Sequence, residues 1–246
     1  MKKGSGIVLE GRAAVRGALL GEVRQIEEIL MTREKVDRFT TWLQAEAERR
    51  DVPLRRVESS EIDRQAPSRS HGGIIAVAGE RRYLPADQLP EGENRLVVML
   101  DGIEDPYNLG FAVRTLWAAG VDGVVLRNRT WGPAEGTILR SSAGTFDLMP
   151  IATVDRPEDA AAVFRRTGMR IAATARDRSS ISLYEADLRG PTFLLVGGER
   201  RGVTRAFLDR SDLVIHIPYG REFDGSLGAA SAAAVIGFEA MRQRRT

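Results

Sequence analysis

Short apolar runs alternate along this chain with segments in which apolar side chains recur at every third or fourth position, a pattern that predicts strands separated by amphipathic helices. In the first eighty residues the runs fall at 26–32, 54–57 and 73–78. Val36, Phe39, Leu43 and Ala47 share one face and predict a helix over 34–50. Periodicity fades between Glu80 and Asn94, where Pro85, Pro90, Gly92 and several charges stand together, and this stretch reads as a linker. Beyond it, strands are expected at 96–100, 123–126, 170–174, 193–196 and 213–217, separated by helix-like segments as βαβ units require. A last helix over 227–243 is rich in small residues (Ala229, Ala230, Ala232, Ala233, Ala234, Gly237) that permit close approach to a neighbour. The expected fold class is therefore α/β, with a small domain over 1–80, a linker over 81–94, and a domain over 95–246 built on a mostly parallel sheet.

Composition narrows the function classes. A length of 246 residues suits two domains better than one. The 43% hydrophobic and 28% charged content is that of a soluble globular protein, and no apolar run is long enough to span a membrane. The first twelve residues hold two lysines but no apolar core or small-residue cleavage site, so a cytoplasmic location is expected. With no cysteine, disulfides, thiolate metal sites and a Cys nucleophile are excluded, and His71 and His216 are the only histidines, so no catalytic metal is expected. The net charge is only +2, but the basic residues other than Lys2, Lys3 and Lys35 are all arginine, whose planar fork suits phosphate. A GC-rich coding sequence explains that bias equally well, so it decides nothing without position.

Three stretches carry candidate chemistry. In the first, Asp101-Gly102-Ile103-Glu104-Asp105-Pro106-Tyr107-Asn108-Leu109-Gly110 leads from a strand into a helix holding Arg114. Asn108 is a plausible helix cap and Arg114 an ordinary surface arginine, taken alone. In the second, Gly197-Gly198-Glu199-Arg200-Arg201-Gly202 follows a strand, at the carboxyl edge where open parallel sheets bind ligands. Its glycines do not make the dinucleotide fingerprint, and Glu199 stands where a triphosphate loop needs lysine. The third runs Ile217-Pro218-Tyr219-Gly220 to Ser226-Leu227-Gly228, where Ser226 is another plausible cap for the final helix.

In order, spacing and placement these stretches resemble the three motifs of the SpoU (TrmH-like) family of S-adenosylmethionine-dependent RNA ribose 2'-O-methyltransferases, within the SPOUT class. Asn108, Gly110 and Arg114 match the first motif; Gly197, Glu199 and Gly202 the second; Ile217-Pro218 with Ser226-Leu227 the third. The run from Arg140 to Thr145 is similar to the family's Ser-Ala-Gly connection, and residues 4–79 resemble its ribosomal-protein-like RNA-binding extension. The chain departs from the family in having Gly228 and Ala230 where asparagine and serine are usual, and His71-Gly72-Gly73 in place of His-Gln-Gly.

The resemblance implies a trefoil knot in the C-terminal half, a homodimer whose paired C-terminal regions complete each site, and an RNA substrate, ribosomal RNA before transfer RNA. It implies that S-adenosylmethionine is held by Gly197, Gly198, Gly202, Ile217, Pro218 and Leu227. It also implies catalytic roles for Arg114, Asn108, Glu199 and Ser226. A guanidinium stays protonated in proteins, so Arg114 is expected to act as a fixed cation that holds the RNA phosphate and favours loss of the ribose hydroxyl's proton. Asn108 and Ser226 would orient substrate and backbone, and Glu199 would accept hydrogen bonds from Arg114 or a loop amide. Arg200, Arg201, Arg205, Arg242, Arg244 and Arg245 are candidate phosphate contacts, with a solvated charged face as the alternative. Two competing readings are an RNA-binding paralogue without turnover, suggested by Gly228 and Ala230, and a nicotinamide-dependent oxidoreductase, which shares the α/β pattern but lacks the fingerprint.

Overall fold

The computed structural model describes residues 6–198 and 202–245. Its elements in chain order begin with β1 (Ile7–Glu10), α1 (Gly11–Gly21), β2 (Ile26–Thr32), α2 (Arg38–Arg49), β3 (Leu54–Val57), α3 (Ser59–Gln65) and β4 (Ile74–Ala78). They continue with β5 (Leu96–Leu100), α4 (Pro106–Ala118), β6 (Gly123–Arg127), α5 (Glu135–Ser141), α6 (Thr145–Leu148), β7 (Ile151–Val154), α7 (Pro157–Arg166) and β8 (Arg170–Thr174). The last are β9 (Ile181–Ser182), β10 (Thr192–Val196), α8 (Arg205–Leu208), β11 (Leu213–His216) and α9 (Ala229–Arg244). Two compact units result, one of Met1–Arg82 with Gly132–Leu148, the other of Tyr83–Trp131 with Met149–Thr246.

The first unit holds a 4-stranded sheet in the order β1-β4-β2-β3, antiparallel except for β2 with β3. Leu30, Val57, Ile62 and Ile75 form one cluster of its core. The α2 helix starts four residues later than its apolar face predicts. Asp37 accepts from the Thr40 amide at 3.0 Å, and Thr40 Oγ1 accepts from the Asp37 amide at 2.9 Å. That reciprocal cap fixes the first turn and leaves Val36 78% exposed outside the helix. β1, which pairs with β4, is not among the strands the sequence predicts.

Segment 132–148 belongs to this unit, although the sequence places it within the second domain. α1 lies so close to it that a methyl group on Gly17 would sit 2.1 Å from the Gly144 carbonyl oxygen, and one on Gly21 would sit 1.8 Å from that of Asp147. At the same contact Arg24, its side chain fully buried, donates from Nε and Nη2 to Asp147 at 2.8 and 2.9 Å, and from Nη2 to Glu135 at 2.6 Å. Burial works against the Arg24 charge, but the hydrogen bonds and charge of Asp147, with those of Glu135, outweigh it and raise its pKa.

The second unit is built on a 7-stranded sheet in the order β7-β6-β5-β10-β8-β11-β9, with every pair parallel. Strands buried on both faces read as unbroken apolar runs, which is why most of them show in the sequence. Alternate residues such as Val97, Met99, Ile171, Phe193 and Leu195 turn towards α7, where Phe164 stacks on Phe193 at 4.8 Å. On α9, Ala233, Ile236, Gly237 and Ala240 are buried. A methyl group on Gly237 would meet Leu116 of α4 and Ala119, the residue that ends it, at 3.3 and 3.2 Å, so the small residues of α9 serve packing against α4. Residues 83–94, expected within a linker, are packed in this unit. Leu84 exchanges backbone hydrogen bonds with Ile151 and Thr153, and Leu89 is buried in the core. Their polar, proline-rich sequence conceals a few anchoring apolar side chains. Among the described residues no helix is long and apolar enough to cross a membrane.

Candidate active site

Parallel strands align their carboxyl ends, so the loops after β5, β8, β10 and β11 leave the second sheet on one side. There the glycines of the second motif are first a packing requirement. A methyl group on Gly198 would sit 2.7 Å from the Gly102 carbonyl oxygen after β5, and one on Gly197 would sit 2.6 Å from the carbonyl carbon of Gly202. The Gly202 amide donates to the Gly198 carbonyl at 3.0 Å, and Gly202 has a positive φ of 58°.

Beside this loop is a cavity of about 250 Å³ lined by Gly197, Gly198, Gly202, Ile217, Ser226 and Leu227, and by Thr174, Ala175, Arg176, Val196, Ile215, His216, Tyr219, Ala232 and Ile236. Its walls are mostly aliphatic side chains and side-chain-free backbone. The loop from Ile217 to Gly228 is braced by side chains. The Leu227 amide donates to the Tyr219 hydroxyl at 3.1 Å, and the Arg176 guanidinium lies over the Tyr219 ring at 4.7 Å while donating to the Phe223 carbonyl at 3.0 Å. His216 is fixed through Nδ1, 3.0 Å from Ser180 Oγ. Hydrogen bonds from the Ser179 hydroxyl and amide, with the charge of Arg205, hold the Asp177 carboxyl below its ordinary range. No carboxylate lines the cavity among the described residues, and these hold no cluster of acids and histidines fit for a metal.

The sequence-predicted residues separate into groups. Gly197, Gly198, Gly202, Ile217, Leu227 and Ser226 meet at this cavity, and Pro218 lines an adjoining depression with Arg176, His216 and Tyr219. Asn108 lines a different cavity with Gly102 to Pro106 and Ala229. It does not cap α4. Asp105 is the cap, accepting from the Asn108 amide at 2.8 Å, with Pro106 in the first turn. Ser226 does not cap α9 either, which begins after Gly228 without a side-chain cap. Arg114 is exposed on α4 and is not among the residues lining the cavity; it shares a face with exposed Tyr107, Phe111 and Trp117. Glu199, Arg200 and Arg201 lie outside the described residues.

Several arginines expected at phosphate have partners within the protein. Arg205 pairs with Asp177 and Asp209, Arg242 pairs with Glu239, and Arg244 donates to the Gly190 carbonyl. His71 is buried, with Nδ1 accepting from the Gly73 amide and Nε2 directed at Asp63 3.0 Å away, a local structural role. Sequence reasoning missed Arg176, His216 and Tyr219 as cavity residues. Their shared signal is position, at or just beyond the carboxyl ends of β8 and β11.

Comparison with known proteins assigns the chain to a family. Residues 95–238 match the SpoU rRNA Methylase family, and residues 8–84 match the family described as RNA 2'-O ribose methyltransferase substrate binding. The chain is 30% identical, over 95% of both chains, to the 23S rRNA (guanosine-2'-O-)-methyltransferase RlmB of Xanthomonas axonopodis pv. citri. It is also 30% identical, over 96% of both, to the enzyme of that name from Ralstonia nicotianae. Among solved structures it is similar to an AdoMet-bound rRNA methyltransferase from Sinorhizobium meliloti, at 26% identity and a TM-score of 0.79 over 96% of this chain and 87% of that one.

Proposed function

Because the chain belongs to the SpoU rRNA Methylase family, we propose that it transfers the methyl group of S-adenosylmethionine to a ribose 2'-hydroxyl of ribosomal RNA. The observation that carries this reading is the convergence of second- and third-motif residues on one aliphatic, glycine-floored cavity at the carboxyl ends of parallel strands. When bound, S-adenosylmethionine supplies an electrophilic methyl group on a sulfonium. Ile215, Ile217, Leu227 and Ile236 offer it an apolar wall that keeps water out, and the bare backbone of Gly197 and Gly198 lets a ligand lie close. Ser226 and Asn108 orient the substrate, and Glu199, outside the described residues, keeps its sequence-based role as an acceptor for Arg114 or a loop amide.

Arg114 holds the RNA phosphate and stabilises charge developing on the ribose oxygen, within a homodimer that completes each site. It does not line the cavity of its own chain, and the face it occupies, with Tyr107, Phe111 and Trp117 about half exposed, has the aromatic character of a surface that a second copy covers. Phe238, 44% exposed on α9, adds to that character. The first unit holds the RNA.

The test is incubation of the protein with methyl-labelled S-adenosylmethionine and either ribosomal or transfer RNA, followed by nuclease mapping of alkali-resistant linkages. Label in a 2'-O-methyl ribose of ribosomal RNA is expected. Label confined to transfer RNA would change the substrate, and RNA binding without transfer would establish the non-catalytic paralogue.

A further inference from the structure

Arg176 is the one cationic side chain lining the cavity among the described residues, and no motif of the sequence accounts for it. It follows β8, and its guanidinium stands where the cavity opens into the neighbouring depression that Pro218 lines. Among the described residues only its Nη1 is engaged, to the carbonyls of Phe223 and Gly225 at 3.0 and 3.4 Å. One guanidinium face covers the Tyr219 ring. Of the nearby carboxylates, Asp177 receives Arg205 at 3.0 Å and the Ser179 amide at 2.8 Å, and Glu222 lines the neighbouring depression without a hydrogen bond to Arg176. Among the described residues Nε and Nη2 thus keep their protons for a ligand.

A cation at this place is unfavourable for most of S-adenosylmethionine. The sulfonium and the α-ammonium are both positive, and in a mostly aliphatic cavity a third positive charge would repel them strongly. The single anionic group of the cofactor is its α-carboxylate. We propose that Arg176 receives that carboxylate through Nε and Nη2, in the two-pronged geometry the guanidinium fork allows, with the amino-acid end of the cofactor at the cavity mouth. Tyr219 and the two loop carbonyls hold the fork in position, so little side-chain freedom is lost on binding. Arg176 is thus a cofactor-specificity residue of this chain, and the assignment rests on the S-adenosylmethionine reading above.

Calorimetric titration of wild type and Arg176→Gln with S-adenosylmethionine and with its decarboxylated analogue, which lacks only the carboxylate, tests it. Wild type is expected to prefer S-adenosylmethionine by about tenfold, as a partly exposed charge-assisted pair allows. In Arg176→Gln that preference disappears while the decarboxylated analogue binds as tightly as before or more tightly. Equal loss of both ligands would make Arg176 a loop strut and overturn the proposal. So would a preference that survives in the variant, and if ribosomal RNA then bound more weakly, the cation would belong to phosphate. Failure of wild type to bind either ligand would instead refute the S-adenosylmethionine reading itself.

Discussion

Arg114 illustrates how far a single residue can be read from sequence. Its place in the first motif singles it out, but its exposure on α4, outside the lining of its own chain's cavity, has no sequence signal. Asn108 shows the reverse, since the sequence suggests a cap and the structure gives that role to Asp105, one turn earlier and equally suited by chemistry. Arg176 and Tyr219 were illegible because their importance comes from a cation over a ring and a hydroxyl at a distant amide, contacts between loops far apart in sequence. For Arg114 the expected outcome is specific. Arg114→Ala loses at least about 100-fold in turnover, the magnitude of removing a preorganised charge from a transition state, with S-adenosylmethionine affinity unchanged. Mixed with Gly197→Trp, a chain whose cavity is filled, it should recover part of the activity, because a mixed dimer then contains one intact composite site. Mixtures as inactive as their components, measured by methyl transfer after co-refolding, would place Arg114 in the site of its own chain or outside catalysis.

At the scale of elements, the strands of the second sheet were legible because burial on both faces makes them uninterrupted apolar runs. β7 and β9 were missed, being short and at the two edges of the sheet. The final helix was also legible, though the partner for its small-residue face is α4 of the same chain. Its last turns are held by a polar cluster no periodicity reveals. Glu239 accepts from Arg242 and from Gln243 at 2.8 Å each, and Gln243 in turn donates to the Ala186 carbonyl and accepts from the Leu188 amide. Hydrogen bonds from Arg242, then Gln243, lower the Glu239 pKa from 4.5 to about 2. A carboxylate depressed in the folded state adds stability above the unfolded value, and this is lost as pH falls towards the folded one. Urea unfolding should therefore show stability declining between pH 4.5 and 2, with a shallower decline in Glu239→Gln. Parallel pH profiles for the two proteins would remove this helix end from the acid response.

For the whole molecule, a small α/β unit before a larger parallel-sheet unit was legible in the sequence, and the chain's return to the first unit at 132–148 was not. That segment reads as an ordinary helical connection, and it is the close packing of Gly17 and Gly21 on it, with Arg24 buried against Asp147 and Glu135, that shows where it belongs. Removing one member of a buried ionic group leaves its partners charged in a medium that cannot solvate them. Arg24→Ala should therefore cost about 3–5 kcal/mol in chemical denaturation followed by a probe in the first unit. A cost below about 1 kcal/mol would mean that water reaches Asp147 in solution.

The same return sets a timetable for synthesis. When residue 82 leaves the ribosome, the glycine face of α1 and the side chain of Arg24 have no counterparts, because α5 and α6 are still unsynthesised. About fifty more residues must be made before they begin to appear, several seconds at usual elongation rates. The first unit, though its sequence comes first, is thus not the first that can be finished at leisure. During that interval its incomplete surface is where a chaperone would find it.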